Sequence, residues 1–444
     1  MAEDVRTVVR EGAMSPFQIA AVTVCMAINM LDGFDVLSIA FAGPQIAKDW
    51  MLKPAELGLL FSAGLFGMVL GSLILSSLAD MLGRRVLVLL GLAVITVGMI
   101  SSAFANNLEQ LAWLRVLTGL GIGSLLSSIN TIVVEYSSYK RKDFAVAFMA
   151  VGYPIGATIG GTISVYLIVT YGWRAVFVFG GVISALLIPF ALMQLPESLD
   201  YLLAKRPKNA LQRVNTLLKK MGRAQLGELP ARQAAGEDAP VSVLSIFDRA
   251  YFSRTALIVC AYFLTMIPFY FVLNWTPKVL VDRGLSLATG ISGAVIMNGC
   301  GVIGGLLFGL STNRTGLRQA TSWFLVLFFA SIVGFGLATQ LNALLILAGA
   351  VGFFMIGLIS GLYAILGAMY PVRVRNTGTG IALGIGRFGA VVGPYLGGVL
   401  IGMGWSRPLY SLVLALPLLL AAVLVRRVPL LFGGAKEMPA QMLE

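Results

Sequence analysis

The sequence predicts an all-α membrane protein with twelve transmembrane helices arranged as two six-helix pseudo-repeats. Three observations carry this expectation. The 444 residues are 58% apolar and only 12% charged, against roughly 45–50% and about 25% in a soluble domain, so the chain lacks the polar groups to face water all round. Stretches free of Asp, Glu, Lys and Arg repeatedly reach the length of a bilayer helix, about 20 residues. Short motifs also recur at an offset near 235 residues.

The spans follow in order. Span 1 is an interrupted apolar segment near 17–43. Residues 57–79, 86–108, 116–134, 144–173 and 175–196 supply spans 2 to 6. Residues 255–277 and 284–313 are spans 7 and 8. The run 319–372 holds spans 9 and 10, with a turn near 340–342. Span 11 shows as 388–406 but begins earlier, because Arg387 interrupts its apolar run; span 12 is 408–425. The only long connection is 197–254. It separates an N-terminal six-helix bundle (1–200) from a C-terminal one (253–444), with a cytoplasmic central loop at 201–252. Within the loop, 207–222 reads as a basic amphipathic helix on the inner leaflet and 230–240 as flexible linker. Asp80-Met-Leu-Gly83-Arg84-Arg85 aligns with Asn313-Arg-Thr-Gly316-Leu-Arg318, and Gly156…Gly160-Gly161 with Gly393…Gly397-Gly398. Parallel repeats of this kind build one large transporter class.

The charge excess is a topological signal. Of the 32 Lys and Arg, 24 fall on the side that holds both termini and the central loop, and 6 on the other. The positive-inside rule puts both termini in the cytoplasm, so the net charge of +12 needs no nucleic acid to explain it. Acidic residues near the N-terminus and a full-length first span argue against a cleavable signal peptide. There is no histidine, and Cys25, Cys260 and Cys300 lie far apart. No catalytic constellation, metal site or cofactor site is readable, so an enzyme is not expected. Proton chemistry must rest on carboxylates.

Five charges lie inside the spans: Asp32, Asp35, Arg115, Glu135 and Arg387. Each costs at least about 2.5–3.5 kcal/mol at mid-bilayer, so such residues usually mark function. Asp32 and Asp35 share one face of span 1. Two carboxylates in a low dielectric cannot both ionise cheaply, which makes the pair a protonatable site. Arg387 sits near the centre of span 11, and no acid lies within the spans of the second half. Its planar fork suits a carboxylate ligand; a structural pair with a first-half acid is the alternative. Arg115 either snorkels to the outer surface or pairs with Asp35. Glu135 is either an interfacial anchor or part of an inner gate. Tyr153, Tyr270, Asn274, Trp275 and Tyr363 are candidate cavity contacts, although most aromatic residues in spans are packing or belt. Pro268 and Pro277 flank the span 7 cluster and are expected to break that helix. Small-residue stripes, including Gly67/Gly71 and Gly119/Gly123, predict close helix approach.

These motifs together resemble the major facilitator superfamily over essentially the whole chain. Leu78-Ala-Asp80-Met-Leu-Gly83-Arg84-Arg85 resembles its helix 2–3 signature, with Ser76 and Met81 departing from it. The resemblance implies gating roles for Asp80 and Arg84, and Arg115 with Gly119, Gly121 and Gly123 resembles its helix 4 motif. Leu195-Pro196-Glu197-Ser198 is shared with sugar and organic-acid porters. Leu31-Asp32-Gly33-Phe34-Asp35, and Gly386-Arg387-Phe-Gly389 followed by Gly393-Pro394, look like the aromatic acid:H⁺ symporter family. That likeness implies a protein of the bacterial cytoplasmic membrane that imports a small aromatic carboxylate, such as a benzoate or hydroxybenzoate, together with protons; a monomer is the expected working unit, although the sequence leaves the oligomeric state open. Proton coupling would fall to Asp32 and Asp35, carboxylate binding to Arg387, and gating to Asp80, Arg84, Arg115 and Glu135. Alternatives are a porter for nicotinate, a muconate-type acid or a sugar, or a drug/H⁺ antiporter.

Overall fold

A computed structural model describes residues 5–230, 249–370 and 372–430. Twelve helices among these are long and apolar enough to cross a membrane. They are α1 (Pro16–Asp49), α2 (Pro54–Leu75), α3 (Arg84–Ala103), α4 (Leu108–Tyr136), α5 (Lys142–Tyr171) and α6 (Arg174–Gln194), then α7 (Phe252–Val281), α8 (Leu287–Thr312), α9 (Leu317–Leu337), α10 (Leu341–Met369), α11 (Gly378–Gly402) and α12 (Arg407–Arg427). No strand occurs among the described residues, and the all-α reading holds.

Local signals set the boundaries. The Asn107 side chain accepts from Gln110 N at 2.8 Å and caps α4, satisfying one of the amides orphaned at a helix start. The break between α9 and α10 falls at 338–340, about two residues before the turn expected near 340–342, and Asn342 lies in the first turn of α10. The prolines of α7 do not break it: the helix runs unbroken through Pro268 and Pro277. In a membrane, neighbouring helices and Ser/Thr side chains compensate the backbone groups that proline frees.

The chain forms two compact units. One holds Met1–Ser38 and Ala63–Gly236, the other Ile39–Ser62 and Glu237–Glu444. In the first, α2 and α4 meet along their glycines: a Cβ on Gly67 would lie 2.1 Å from the Val116 carbonyl oxygen, and one on Gly119 would lie 2.0 Å from that of Gly64. Only glycine permits that approach. In the second unit, the hairpin Ile39–Ser62 packs on α7 and α11. Ser62 Oγ donates to the Val391 carbonyl at 2.6 Å, and the Phe61 ring meets Trp275 edge-on at 5.4 Å.

The central-loop helix is present at Ala210–Lys220, but its apolar face does not lie on lipid. Val214 is 0% and Leu218 1% exposed, so protein covers the face. The Lys220 ammonium sits over the Phe17 ring at 5.1 Å, and Arg223 donates to the Glu11 carbonyl. The amphipathic pattern is therefore satisfied by the first unit itself. The linker expected at 230–240 lies outside the described residues, apart from residue 230.

Candidate functional site

In the first unit, the intramembrane charges converge. Asp32, Asp35 and Arg115 are all buried, the last two only 2% exposed. Gly33 between the aspartates brings α1 onto α5: a Cβ there would lie 2.0 Å from the Tyr153 carbonyl oxygen. Asn29, one turn earlier, donates to the Met149 carbonyl at 2.8 Å. These contacts fix the register of the acidic face of α1. Asp35 faces α6, where a Cβ on Gly180 would lie 3.1 Å from Asp35 Oδ1.

Arg115 does not snorkel. Its Nη2 donates to Ser102 Oγ at 2.8 Å and Thr118 Oγ1 at 3.0 Å, its Nη1 donates to Ser38 Oγ at 3.4 Å, and its guanidinium lies over the Phe177 ring at 4.7 Å. Ser38 Oγ in turn donates to the Asp35 carbonyl at 2.7 Å. Arg115 and Asp35 act electrostatically on each other, as do Asp35 and Asp32. Neither Asp35 carboxylate oxygen accepts a hydrogen bond. The site therefore holds two acids and one base, so a single proton brings it to charge neutrality.

At the other end of α4, Glu135 is buried and built into the unit. It accepts from Ser198 Oγ and Leu199 N, both at 2.8 Å, at the start of the short helix Leu199–Lys205. Arg84 lies within electrostatic reach of it. Glu197 accepts from Arg85 N at 3.1 Å, at the start of α3, and Tyr136 donates its hydroxyl to the Glu197 carbonyl at 2.7 Å. Carboxylates at helix N-termini satisfy orphaned amides and complement the dipole. The Asp80 side chain lies outside the described residues.

In the second unit, Arg387 of α11 is partly buried; its backbone is helical and its N–H donates to the Leu383 carbonyl at 3.0 Å. Tyr262 of α7 lies within electrostatic reach of Arg387, Tyr363 and Tyr270. Two of those tyrosines are sequence candidates; Tyr262 is not, because one more tyrosine in an apolar run gives no signal. The other candidates on α7 are placed differently. Trp275 is buried and its indole N–H donates to the Pro394 carbonyl at 2.9 Å. Asn274 Nδ2 donates to the Tyr270 carbonyl at 2.9 Å, within its own helix. Among the described residues, no group of three or more His, Cys, Asp and Glu side chains is placed to hold a metal.

Twelve helices able to cross a membrane, a buried acid–base cluster in α1 and α4 and a partly buried arginine within α11 are the features of a membrane transporter. The Major Facilitator Superfamily model matches residues 24–341, and the chain belongs to that superfamily. It is 33% identical over 435 residues to the 4-hydroxybenzoate transporter of Pseudomonas aeruginosa, covering 95% of each chain. It is 30% identical to the gallate transporter of Pseudomonas putida, covering 95% of this chain and 94% of that one. The benzoate transport protein of Acinetobacter baylyi is 29% identical, with 95% and 92% covered. The proton:xylose symporter XylE superposes with a TM-score of 0.72 at 15% identity, over 94% of this chain and 97% of that one; this likeness concerns the fold alone.

Proposed function

We propose that this protein imports a small aromatic carboxylate, such as a benzoate or hydroxybenzoate, across the bacterial cytoplasmic membrane in symport with protons. The observation that carries the reading is the partly buried arginine of α11, within electrostatic reach of Tyr262, in a chain whose relatives, matched over 92–95% of their length, are transporters of 4-hydroxybenzoate, gallate and benzoate. A guanidinium binds a carboxylate bidentately, and aromatic side chains suit the ring. Arg387 takes the carboxylate, with Tyr270 and Tyr363 as contacts to the rest of the molecule.

Asp32 and Asp35 take up the proton from the outer side. With both acids ionised, their cluster with Arg115 carries one net negative charge; protonation removes it, as the substrate carboxylate removes the positive charge of Arg387. Buried net charge opposes any rearrangement that shields it further from water. A carrier loaded with both ligands is the one that changes state, by alternating access of the bundles at 1–200 and 253–444. Asp80, Arg84 and Glu135 stabilise the cytoplasmic end, and Arg115 holds the outer part of α1 through Ser38. The distribution of Lys and Arg supports cytoplasmic termini, and a monomer suffices for this scheme. No cofactor is required beyond the coupling proton. Competition of labelled 4-hydroxybenzoate uptake by benzoate, nicotinate, muconate and xylose tests the substrate class: inhibition by the aromatic acids alone supports it, and inhibition by xylose alone refutes it.

A further inference from the structure

Between α7, α11 and α12 the second unit carries an open groove of about 730 Å³. Its lining is apolar apart from Ser253. On α7, Ser253, Ala256 and Cys260 share one face at i, i+3 and i+7, and their small side chains leave the space open. Leu420 and Leu424 line it from α12 and Ile385 from α11. Cys260, Leu420 and Ile385 are exposed, so the groove opens on the surface of the unit. The lining on α7 runs from Phe252 to Leu264, about 18 Å of helix at 1.5 Å per residue. That is close to one leaflet, half of a hydrocarbon core of about 30 Å.

One end of the groove is basic. Arg254 stands one turn before Leu257 on α7, and Arg427 one turn after Leu424 on α12; residues three apart share a helix face. Arg254 is half-buried and Arg427 exposed. The neighbouring Arg426 is turned to α9, its Nε donating to Ser322 Oγ at 3.0 Å. No acidic residue occurs in α7, α11 or α12 to offset this charge. We infer that the groove binds an anionic phospholipid of the leaflet beside the central loop: one acyl chain lies along Ala256 and Cys260, and the phosphate meets Arg254 and Arg427. An acyl chain restores the dispersion contacts that an empty groove forfeits. Guanidinium groups hold a phosphate with directed, charge-assisted hydrogen bonds. A soluble ligand of this volume would need several polar groups to fix its orientation, and the lining offers only Ser253.

The site does not depend on what the protein transports, and its test measures no transport. Full-length protein in detergent is offered equimolar phosphatidylglycerol and phosphatidylethanolamine with the same acyl chains, and retained lipid is counted by native mass spectrometry. The expected result is one phosphatidylglycerol held in preference to phosphatidylethanolamine. That preference falls about fivefold in R254Q and again in R427Q, as for the loss of one basic residue near an anionic headgroup. Ala256→Trp fills the groove and abolishes retention of both lipids. Cys260 supplies a readout that needs no bulky substitution. In a Cys300→Ser background, with Cys25 buried, phosphatidylglycerol slows maleimide reaction at Cys260, and the R254Q/R427Q double variant loses this protection. Equal retention of the two lipids by the wild type, a preference that survives the double variant, or a Cys260 reaction that phosphatidylglycerol leaves unchanged overturns the site.

Discussion

Arg115 and Asp35 stand on different helices, are equally buried, and are joined through Ser38: the guanidinium donates to the serine hydroxyl at 3.4 Å and the hydroxyl to the Asp35 carbonyl at 2.7 Å. The arginine thus holds the backbone of α1 at the residue whose carboxylate it faces. Ser38 is also the last residue of α1 in the first compact unit; Ile39 begins the hairpin that belongs to the second.

Removing the base from this cluster leaves two buried acids. Arg115→Met should lower stability by about 1.5–3 kcal/mol, as for the loss of buried hydrogen bonds made by a charged group. Arg115→Lys keeps the charge but cannot reach Ser102, Thr118 and Ser38 together, so its loss should be intermediate. Thermal unfolding in detergent measures both; a wild-type unfolding temperature in Arg115→Met would contradict its anchoring of α1 through Ser38.

Arg387→Gln removes the anion contact while keeping a hydrogen-bonding side chain of similar reach. The KM for an aromatic carboxylate should rise by about 1.5–3 kcal/mol, tenfold or more. Concentration-dependent exchange in proteoliposomes checks this, and an unchanged KM would remove Arg387 from the binding site.

Glu135→Ala strips two acceptor contacts from the start of Leu199–Lys205. The loss should be about 1 kcal/mol, in line with other helix caps. It should appear as faster amide exchange confined to 199–205. Uniform exchange across the cytoplasmic end would show that Glu135 does not anchor this helix.

Trp275→Phe separates packing from binding. It breaks the hydrogen bond to Pro394 and alters the ring pair with Phe61, at a cost of about 1–2 kcal/mol, yet the KM should stay at the wild-type value. A raised KM with unchanged stability would return Trp275 to the list of substrate contacts.

Much of this architecture was legible because the bilayer imposes it. Spans had to be apolar and long, so hydropathy located twelve helices, and the charge at Arg387 stood out within the apolar run of span 11. The acidic face of α1 and its counter-charge at Arg115 were visible for the same reason: charges are too costly in a membrane to be incidental. What escaped were features that depend on which neighbour covers a surface. The face of Val214 and Leu218 has the pattern of a membrane-surface helix, but protein reaches it first. The pairing of Ile39–Ser62 with the second unit has no local signal, since both units offer small-residue stripes.

The central claim is that a carboxylate on α1 carries the coupling proton. Uptake of labelled 4-hydroxybenzoate into proteoliposomes, with the exterior made acidic relative to the lumen, tests it directly. The account predicts accumulation above equilibrium in the wild type, and loss of that accumulation in Asp32→Asn with exchange retained. Full accumulation by Asp32→Asn, or wild-type accumulation that survives collapse of the pH gradient, would contradict it.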